Sequence, residues 1–344
     1  MEQQDILSMT LPELQAAVQE LGEPKFRAKQ IFNWLHQKRV TDFSEMTTLS
    51  FPFRELLASD FCINRLKIAK RLASSVDDTV KYLYELPDGN YVETVCMQYY
   101  HGTSLCISTQ VGCRMGCRFC ASAIAGFVRN LTPAEMLLQI YETERAQNCK
   151  ISSLVLMGIG EPLDNFDNVL RFLQLLSDPN GYGMSLRHVT VSTCGVVPKI
   201  LELAEQRLGL TLSVSLHCPN DAGRSAIMPI NRSYPIDVLL DACQTYFEKT
   251  GRRVTFEYAV MDQVNSAEQD AAALAERLKG LHAHVNLIPI NPVKERNFHT
   301  LKKTVLQFQK TLERYGIPAT IRRTLGSDIE AACGQLRRDA IQQT

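Results

Sequence analysis

Apolar and polar residues alternate along residues 79–111, which is the period of a β-strand. Two such runs, DTVKYLYEL and YVETVCMQ, flank the turn-forming sequence PDGN, and a third run, SLCISTQV, follows them. On the second run Glu93 shares a face with Tyr91, Val95 and Met97. The alternation by itself slightly favours an exposed strand edge with Glu93 in water over a carboxylate with a function in apolar surroundings.

Beyond residue 104, strand-like and helix-like segments follow one another in turn. This order demands a parallel sheet with right-handed crossovers, so we expect an α/β fold, either a complete or partial β/α barrel or a doubly wound sheet. The predicted strands are SLCISTQV, SSLVLMGI, HVTVSTC, LTLSVSL, RVTFEYAV, HVNLIPI and ATIRRT. The predicted helices are TPAEMLLQIYETERA, FDNVLRFLQLL, PKILELAEQ, IDVLLDACQTYF, AEQDAAALAERL and LKKTVLQFQKTLERY.

Residues 1–75 carry a helical pattern and are predicted to form a small helical domain. Thr10 and Glu13 have capping-box spacing ahead of LQAAVQEL. The stretch PKFRAKQIFNWLHQK then places apolar residues at helical spacing.

Composition narrows the class of protein. The 344 residues are 45% apolar and 22% charged, as in a globular protein with a full-sized core. Neither a signal peptide nor an apolar run of about 18 residues is present, so we expect a cytoplasmic protein that does not enter a membrane. Eleven cysteines, an odd number, favour metal binding or catalysis over a disulfide framework.

Charge is balanced, with 37 basic and 37 acidic side chains, so the whole chain gives no sign of a nucleic-acid partner. Local basic runs could still bind a polyanion, although most such runs are solvated surface. The candidates are KFRAK at 25–29, HQKR at 36–39, and the arginine pairs 252–253, 322–323 and 337–338.

The densest chemical signal is VGCRMGCRFCASA, in which Cys113, Cys117 and Cys120 have the spacing C-x3-C-x2-C directly after a strand. Zinc sites usually present paired C-x2-C units, and no second pair occurs here. Three thiolates from one loop can instead hold three irons of a cubane cluster and leave the fourth iron open. The spacing therefore favours an iron-sulfur cluster and leaves zinc with a distant fourth ligand as an alternative.

Polar residues also follow the ends of successive predicted strands. Because the active site of a β/α barrel lies at the carboxyl ends of its strands, we expect them to face one opening together with the cysteine loop. They are Gly158, Gly160 and Glu161 after the second strand, Ser192 and Thr193 at the third, Ser215, Leu216 and His217 at the fourth, and Asn291 after the sixth.

The cysteine spacing combined with GEP resembles the radical S-adenosylmethionine (SAM) enzymes. More specifically, the chain resembles the RlmN-type dual-specificity RNA adenine methyltransferases along nearly its whole length. The motifs that carry this resemblance are SLCISTQVGCRMGCRFCAS, MGIGEPLDN, VSTCG, SLHCPN, MPINR, HVNLIPINP and DIEAACGQL.

The resemblance implies a partial (β/α)6-type radical SAM barrel with an N-terminal helical accessory domain and a linking β-hairpin. The implied division is a helical RNA-binding domain over 1–75, a hairpin carrying Glu93 over 76–98, the barrel over 99–330 and a C-terminal segment over 331–344. The basic runs KFRAK and HQKR would then contact phosphates.

The resemblance also implies the site residues. Cys113, Cys117 and Cys120 would hold a 4Fe-4S cluster whose open iron is chelated by SAM, and two SAM would be used per turnover. The SAM site would be lined by Gly160, Glu161, Ser192, Ser215, Leu216, His217 and Asn291.

Three more residues would carry the chemistry. Cys333 would bear a methyl group, Glu93 would accept the proton from the adenine, and Cys106 would resolve a protein-RNA adduct by forming a disulfide with Cys333. The implied partners are 23S rRNA, tRNA and a small electron donor such as flavodoxin or ferredoxin, with the enzyme acting as a monomer.

Two alternatives stay open. A Cfr-type relative methylates carbon 8 of adenine instead of carbon 2, but it departs from the family at the Pro after GE and at NLIPxNP, both of which occur here. A zinc-stabilised RNA-binding protein without catalysis would use Cys106 as a fourth ligand and would not need Glu93 or Cys333.

Overall fold

A computed structural model describes residues 3–290, 298–329, 336–337 and 340. Its N-terminal part contains helices α1 (Leu11–Glu20), α2 (Arg27–Asn33) and α3 (Phe51–Asp60). The predicted capping box at the start of α1 is confirmed, since Glu13 accepts from the backbone N–H of Thr10 at 2.8 Å. Helix α2 runs on into a π-helical turn over Trp34–Lys38.

The helical prediction for residues 1–75 is wrong at two places. Strand β1 (Gln4–Asp5) pairs in parallel with β2 (Phe61–Cys62), and β3 (Lys67–Ala73) is an exposed edge strand. The sequence of β3, KIAKRLA, consists largely of good helix formers. Its backbone is instead hydrogen-bonded to the antiparallel neighbouring strand, so tertiary pairing overrides local propensity.

A ten-stranded sheet forms the rest of the scaffold. From one edge to the other its strand order is β14, β13, β12, β11, β10, β9, β6, β5, β4 and β3. The seven strands from β6 to β14 in this order are parallel, and β5, β4 and β3 extend them with antiparallel pairs. The bounds are β4 Val80–Glu85, β5 Tyr91–Tyr99, β6 Gly102–Cys106, β9 Ile151–Leu156, β10 Val189–Thr193, β11 Thr211–Ser215, β12 Val254–Val260, β13 Ala283–Pro289 and β14 Ala319–Ile321.

Helices connect the parallel strands as predicted, and one short helix, α7, was not foreseen. A capping box begins α4, because Thr132 accepts from the backbone N–H of Glu135 and Glu135 accepts from that of Thr132. The bounds are α4 Pro133–Gln147, α5 Phe166–Ser177, α6 Val197–Glu205, α7 Asp221–Ile227, α8 Ile236–Thr250, α9 Glu268–Leu278 and α10 Lys302–Arg314. No helix in the described ranges is long and apolar enough to cross a membrane.

The predicted strand SLCISTQV is interrupted. Strand β6 ends at Cys106, and β7 (Gln110–Gly112) pairs with β8 (Phe127–Asn130) in a separate antiparallel ribbon. This ribbon frames the loop that carries the three spaced cysteines. Gly112 lies at φ +81°, and a Cβ there would come within 1.7 Å of the carbonyl oxygen of Gly126, so the base of the loop requires glycine.

Candidate functional site

A cavity of about 350 Å³ opens at the carboxyl ends of the parallel strands, the position expected for the site of a β/α barrel. Eleven of the sequence-predicted site residues line it: Cys106, Cys113, Cys117, Cys120, Gly158, Gly160, Glu161, Ser192, Thr193, Ser215 and His217. Leu216 does not, because its side chain is buried in the hydrophobic core. Asn291 and Cys333 lie outside the described residues.

The cysteine loop is held by its own backbone and by the α7 region. The N–H of Cys113 donates to Gly126 O at 3.2 Å, and the N–H of Arg118 donates to Ile227 O at 2.9 Å. Burial raises the pKa of the Cys113 thiol to about 12 and also raises that of Cys117. A cation is therefore needed to stabilise these sulfurs as thiolates.

The donor set fits an iron-sulfur cluster. A cubane takes each thiolate on a different iron, and three thiols from one loop that face one cavity match that need.

The loop after β9 is fixed by side chains rather than by a turn alone. Gly160 lies at φ +113°, and a Cβ there would come within 2.7 Å of the Gln110 side chain. The carboxylate of Glu161 accepts from the N–H of Leu163 at 3.0 Å and from the N–H of Cys194 at 2.8 Å. Burial raises the pKa of Glu161, which these hydrogen bonds oppose. Glu161 thus joins the ends of β9 and β10 at the cavity wall.

His217 takes an unusual backbone conformation for a residue with a side chain, at φ +58°. Its Nδ1 accepts from the N–H of Ala259 at 2.9 Å, and burial lowers its pKa to about 3. The ring is therefore neutral and carries its hydrogen on Nε2. It packs edge-on against Phe119 of the cysteine loop, with centroids 4.7 Å apart. His217 thereby connects the fourth barrel strand to the cysteine loop.

Sequence reasoning missed Glu257, a buried carboxylate on β12 that also lines the cavity. Ser213 donates to its Oε1 at 2.7 Å and Asn286 to its Oε2 at 2.9 Å, while burial raises its pKa. Arg322 and Arg323, noted in the sequence only as a basic pair, line the same cavity. Strand alternation could have placed Glu257 on the inner face, but nothing in the sequence distinguishes it from an exposed glutamate.

Cys106 ends β6 and lies in a small apolar cluster at the cavity wall. Val95 and Met97 of β5 form this cluster with it, and Leu325, which follows β14, packs against it. The chain that follows the last strand therefore approaches the cluster that contains Cys106.

Glu93 is fully buried, so the exposed strand edge favoured by alternation is wrong. It is also not alone in apolar surroundings, because Lys81 Nζ of β4 lies 2.9 Å from its Oε2. Its Oε1 accepts from the backbone N–H of Arg337 at 2.7 Å. Glu93 does not itself line the cavity, but Val95, two residues further along the same face, does.

The C-terminal segment is anchored on both sides of Cys333 in the sequence. Before it, Asp328 accepts from Ser74 Oγ at 2.6 Å and from the N–H of Ser75 at 2.7 Å. After it, Arg337 is buried and donates its backbone N–H to Glu93. Both anchors lie on the antiparallel extension formed by β3, β4 and β5.

Two residues of the basic run HQKR are held by α4. His36 is fully buried, bonds to Tyr141 Oη at 2.9 Å, and has a pKa lowered to about 3 by burial, so the prediction of a phosphate contact is wrong for this residue. Arg39 forms an ion pair with the buried Glu144, while Lys38 is exposed. The polar atoms of His36 and Arg39 thus join the N-terminal part to α4. In KFRAK, Lys25 and Lys29 are exposed.

Comparison with known proteins agrees with this architecture. Residues 107–275 match the radical SAM superfamily, and residues 4–63 match the ribosomal RNA large subunit methyltransferase N-terminal domain. A probable dual-specificity RNA methyltransferase RlmN of Lachnoclostridium phytofermentans is 50% identical over 99% of this chain and 96% of its own length. The chain belongs to the RlmN family.

Another RlmN relative, from Clostridium novyi, is 48% identical over 98% of this chain and 99% of its own length. The crystal structure of a radical SAM methyltransferase from Sphaerobacter thermophilus matches with a TM-score of 0.92 at 40% identity, covering 96% of this chain and 98% of that one. Membership of the RlmN family makes the chain an RNA methyltransferase of radical SAM type. The superfamily implies a 4Fe-4S cluster and SAM.

Proposed function

We propose that this enzyme methylates carbon 2 of an adenine in 23S rRNA and in a subset of tRNAs. The observation that carries the proposal is the position of Cys106, which faces the same cavity as Cys113, Cys117 and Cys120. A thiol at that position supports a route in which a second cysteine takes part in the chemistry, rather than direct transfer from SAM.

In this proposal Cys113, Cys117 and Cys120 hold the cluster, and Gly160, Glu161, Ser192, Ser215, His217 and Asn291 surround SAM. Leu216 is left out as a side-chain contact because it is buried in the core. With the cluster bound, the site would supply an electron for cleavage of SAM to an organic radical and would take one electron back from the adduct. A small reductant such as flavodoxin or ferredoxin would provide the electron used for cleavage of SAM. The enzyme would act as a monomer.

The chain's own residues carry the remaining steps. The thiolate of Cys333 takes a methyl group from a first SAM, with S-adenosylhomocysteine leaving. In the next step the S-methyl group of Cys333 would lose one hydrogen atom to the radical derived from a second SAM, giving 5′-deoxyadenosine. The resulting S-methylene carbon on Cys333 would then bond to carbon 2 of the adenine. The C2–H bond then breaks and Glu93 receives the proton.

Resolution requires a second thiol. The Cys106 thiolate attacks the sulfur of Cys333, the carbon–sulfur bond breaks, and the carbon keeps the electron pair and takes up a proton to become a methyl group. Cys106 and Cys333 end as a disulfide. The approach of Leu325 to the Cys106 cluster supports this step, because it brings the chain that leads toward Cys333 to the wall where Cys106 lies.

The proposed division into domains is 1–75, 76–98, 99–330 and 331–344, with the first segment binding RNA. The target adenine must be turned out of its helix to reach the cavity. Arg323, which is exposed and lines the cavity, is placed to contact a phosphate beside that base.

The test is mass spectrometry of the peptide containing Cys333, from protein produced with iron and SAM, together with digestion of methylated RNA. We expect a methyl group on Cys333 and 2-methyladenosine in the digest. Active enzyme with an unmethylated Cys333 would refute the cysteine route. A methyl group on carbon 8 would instead identify the Cfr type of reaction, and a colourless protein with stoichiometric zinc would exclude radical chemistry.

A further inference from the structure

The antiparallel extension contains a buried ion pair between Lys81 and Glu93. We propose that Lys81 is a positioning residue for catalysis, which holds the Glu93 carboxylate charged and aligned to take the proton from the adenine. The inference rests on the proposed function of Glu93 as proton acceptor. It assigns a role to a residue that sequence motifs did not single out.

Strand register explains how the two side chains meet. In the pairing of β4 with β5, Lys81 lies opposite Val95 and Leu83 lies opposite Glu93. Lys81 and Glu93 are therefore diagonal neighbours on one face of the sheet, and Lys81 Nζ reaches Glu93 Oε2 at 2.9 Å. Their side chains are 1% and 0% exposed, so solvent does not screen the contact.

This face continues into the cavity. Thr79 precedes Lys81 by two residues and Val95 follows Glu93 by two, and both line the cavity wall. The ion pair thus lies directly beside the space in which the reacting groups are proposed to meet.

Stability alone gives little reason for a lysine at this position. Replacing a buried ion pair with well-packed apolar residues is often neutral or stabilising, and Leu83 and Val95 on the same face are apolar. Chemistry does give a reason, because Glu93 can accept a proton only while it is ionised. Away from water a carboxylate persists as an anion only when it is paired, and Lys81 supplies the paired charge.

The two oxygens of Glu93 are held from different sides. Lys81 holds Oε2, while Oε1 accepts from the backbone N–H of Arg337, whose chain leads back to Cys333. Both oxygens are thus fixed in position by atoms of other parts of the chain. When the C2–H bond of the adenine breaks, its electron pair stays in the adenine ring and the proton passes to Glu93.

The experiment compares Lys81→Met, Lys81→Arg and Glu93→Gln with the parent enzyme. Each is given a target RNA, SAM and a reductant, and three quantities are measured: the methyl group on Cys333, the fraction of chain covalently attached to RNA on a denaturing gel, and the turnover number. We expect Lys81→Met to methylate Cys333 normally, to accumulate the adduct, and to lose about 10²-fold in turnover. Lys81→Arg, which preserves the charge, should remain within about tenfold of the parent enzyme and release its RNA.

Lys81→Met removes the cation that contacts Glu93 Oε2, and loss of one partner of a buried ion pair is strongly destabilising. The double variant Lys81→Met with Glu93→Gln removes both charges, and it should match Glu93→Gln alone in adduct level and in turnover. If the turnover number of the double variant were lower than that of Glu93→Gln by tenfold or more, Lys81 would act independently of Glu93 and the inference would be wrong.

Failure of the inference can be told apart from failure of the proposed function. If Glu93→Gln forms no adduct and keeps its turnover, Glu93 is not the proton acceptor and the proposed function is at fault. If Glu93→Gln accumulates adduct while Lys81→Met turns over like the parent enzyme, only the role of Lys81 is refuted.

Discussion

Glu161 Oε2 accepts a hydrogen bond from the backbone N–H of Cys194 at 2.8 Å, so one carboxylate joins the ends of two adjacent barrel strands. Its other oxygen accepts from the N–H of Leu163. We predict that Glu161→Ala leaves two buried donors unpaired and lowers the free energy of unfolding by about 2–5 kcal/mol. Glu161→Gln keeps one acceptor oxygen and should lower the free energy of unfolding by roughly half as much. Thermal unfolding of the two variants would measure this, and equal losses would contradict the assignment.

Gly160→Ala is expected to abolish SAM binding while the protein remains folded. An added Cβ would come within 2.7 Å of Gln110, whose side chain accepts from the N–H of Glu161 and donates to Asp164. The backbone at φ +113° also disfavours any side chain. Equilibrium dialysis with labelled SAM would measure the effect. Gly251→Ala, at φ +65° with open space around its Cα, serves as the matched control and should bind SAM normally.

His36 should make the protein sensitive to acid. Burial lowers its pKa in the folded state to about 3, whereas in the unfolded chain it is near 6.5. Between these values the unfolded state binds more protons, so stability is full above pH 6.5 and falls as the pH decreases toward 3. We expect the melting temperature of His36→Gln to fall less than that of the parent protein between pH 7 and pH 5. Parallel pH profiles for the two proteins would argue against this role.

Cys106→Ala should halt the reaction after the RNA has been attached. Without the second thiol the sulfur–carbon bond to the RNA is not broken, so the covalent adduct should persist after a single turnover. The readout is the fraction of chain that migrates with RNA on a denaturing gel. Cys96→Ala is the control. Cys96 is also buried, but its side chain lies on the face of β5 opposite to that of Val95, which lines the cavity. Normal multiple turnover by Cys106→Ala would remove this cysteine from the scheme.

Arg323→Ser should weaken RNA binding in a salt-dependent way. One lost phosphate contact lowers the slope of log K against log salt by about 0.7–0.9. Lys310→Ser, an exposed change near the far end of α10, is expected to leave the slope unchanged. Filter binding at four salt concentrations would separate the two. An unchanged slope for Arg323→Ser would place the phosphate contacts elsewhere.

The sequence predicted where the site residues lie along the chain better than it predicted the contacts between residues that are far apart in sequence. Residues such as Gly160, Ser192 and Ser215 could be predicted because parallel strands bring their carboxyl ends to one edge whatever the details of packing. The interruption after Cys106 could not, since it depends on pairing between β7 and β8. Leu216 was misplaced because adjacent residues at a strand end point in opposite directions.

Buried charges were the hardest to foresee. Arg39 and Lys81 look like ordinary surface side chains in the sequence, and only the neighbouring elements show that their partners are the buried carboxylates of Glu144 and Glu93. Glu257 has the same character, with partners on two other strands. Residue type and hydrophobic periodicity indicate which face of a helix or strand a charged side chain lies on. Whether a side chain of opposite charge contacts it there depends on how the neighbouring helices and strands pack.

The anchoring of the C-terminal segment on the antiparallel extension also bears on the order of folding. Asp328 contacts Ser74 and Ser75 across about 250 residues of chain, and Arg337 contacts Glu93 across 244. Contacts of such long range form late, because the intervening chain must first be compact. During synthesis the barrel strands leave the ribosome before this segment exists. Asp328 and Arg337 are thus expected to dock late, onto a barrel whose cysteine loop has already been made.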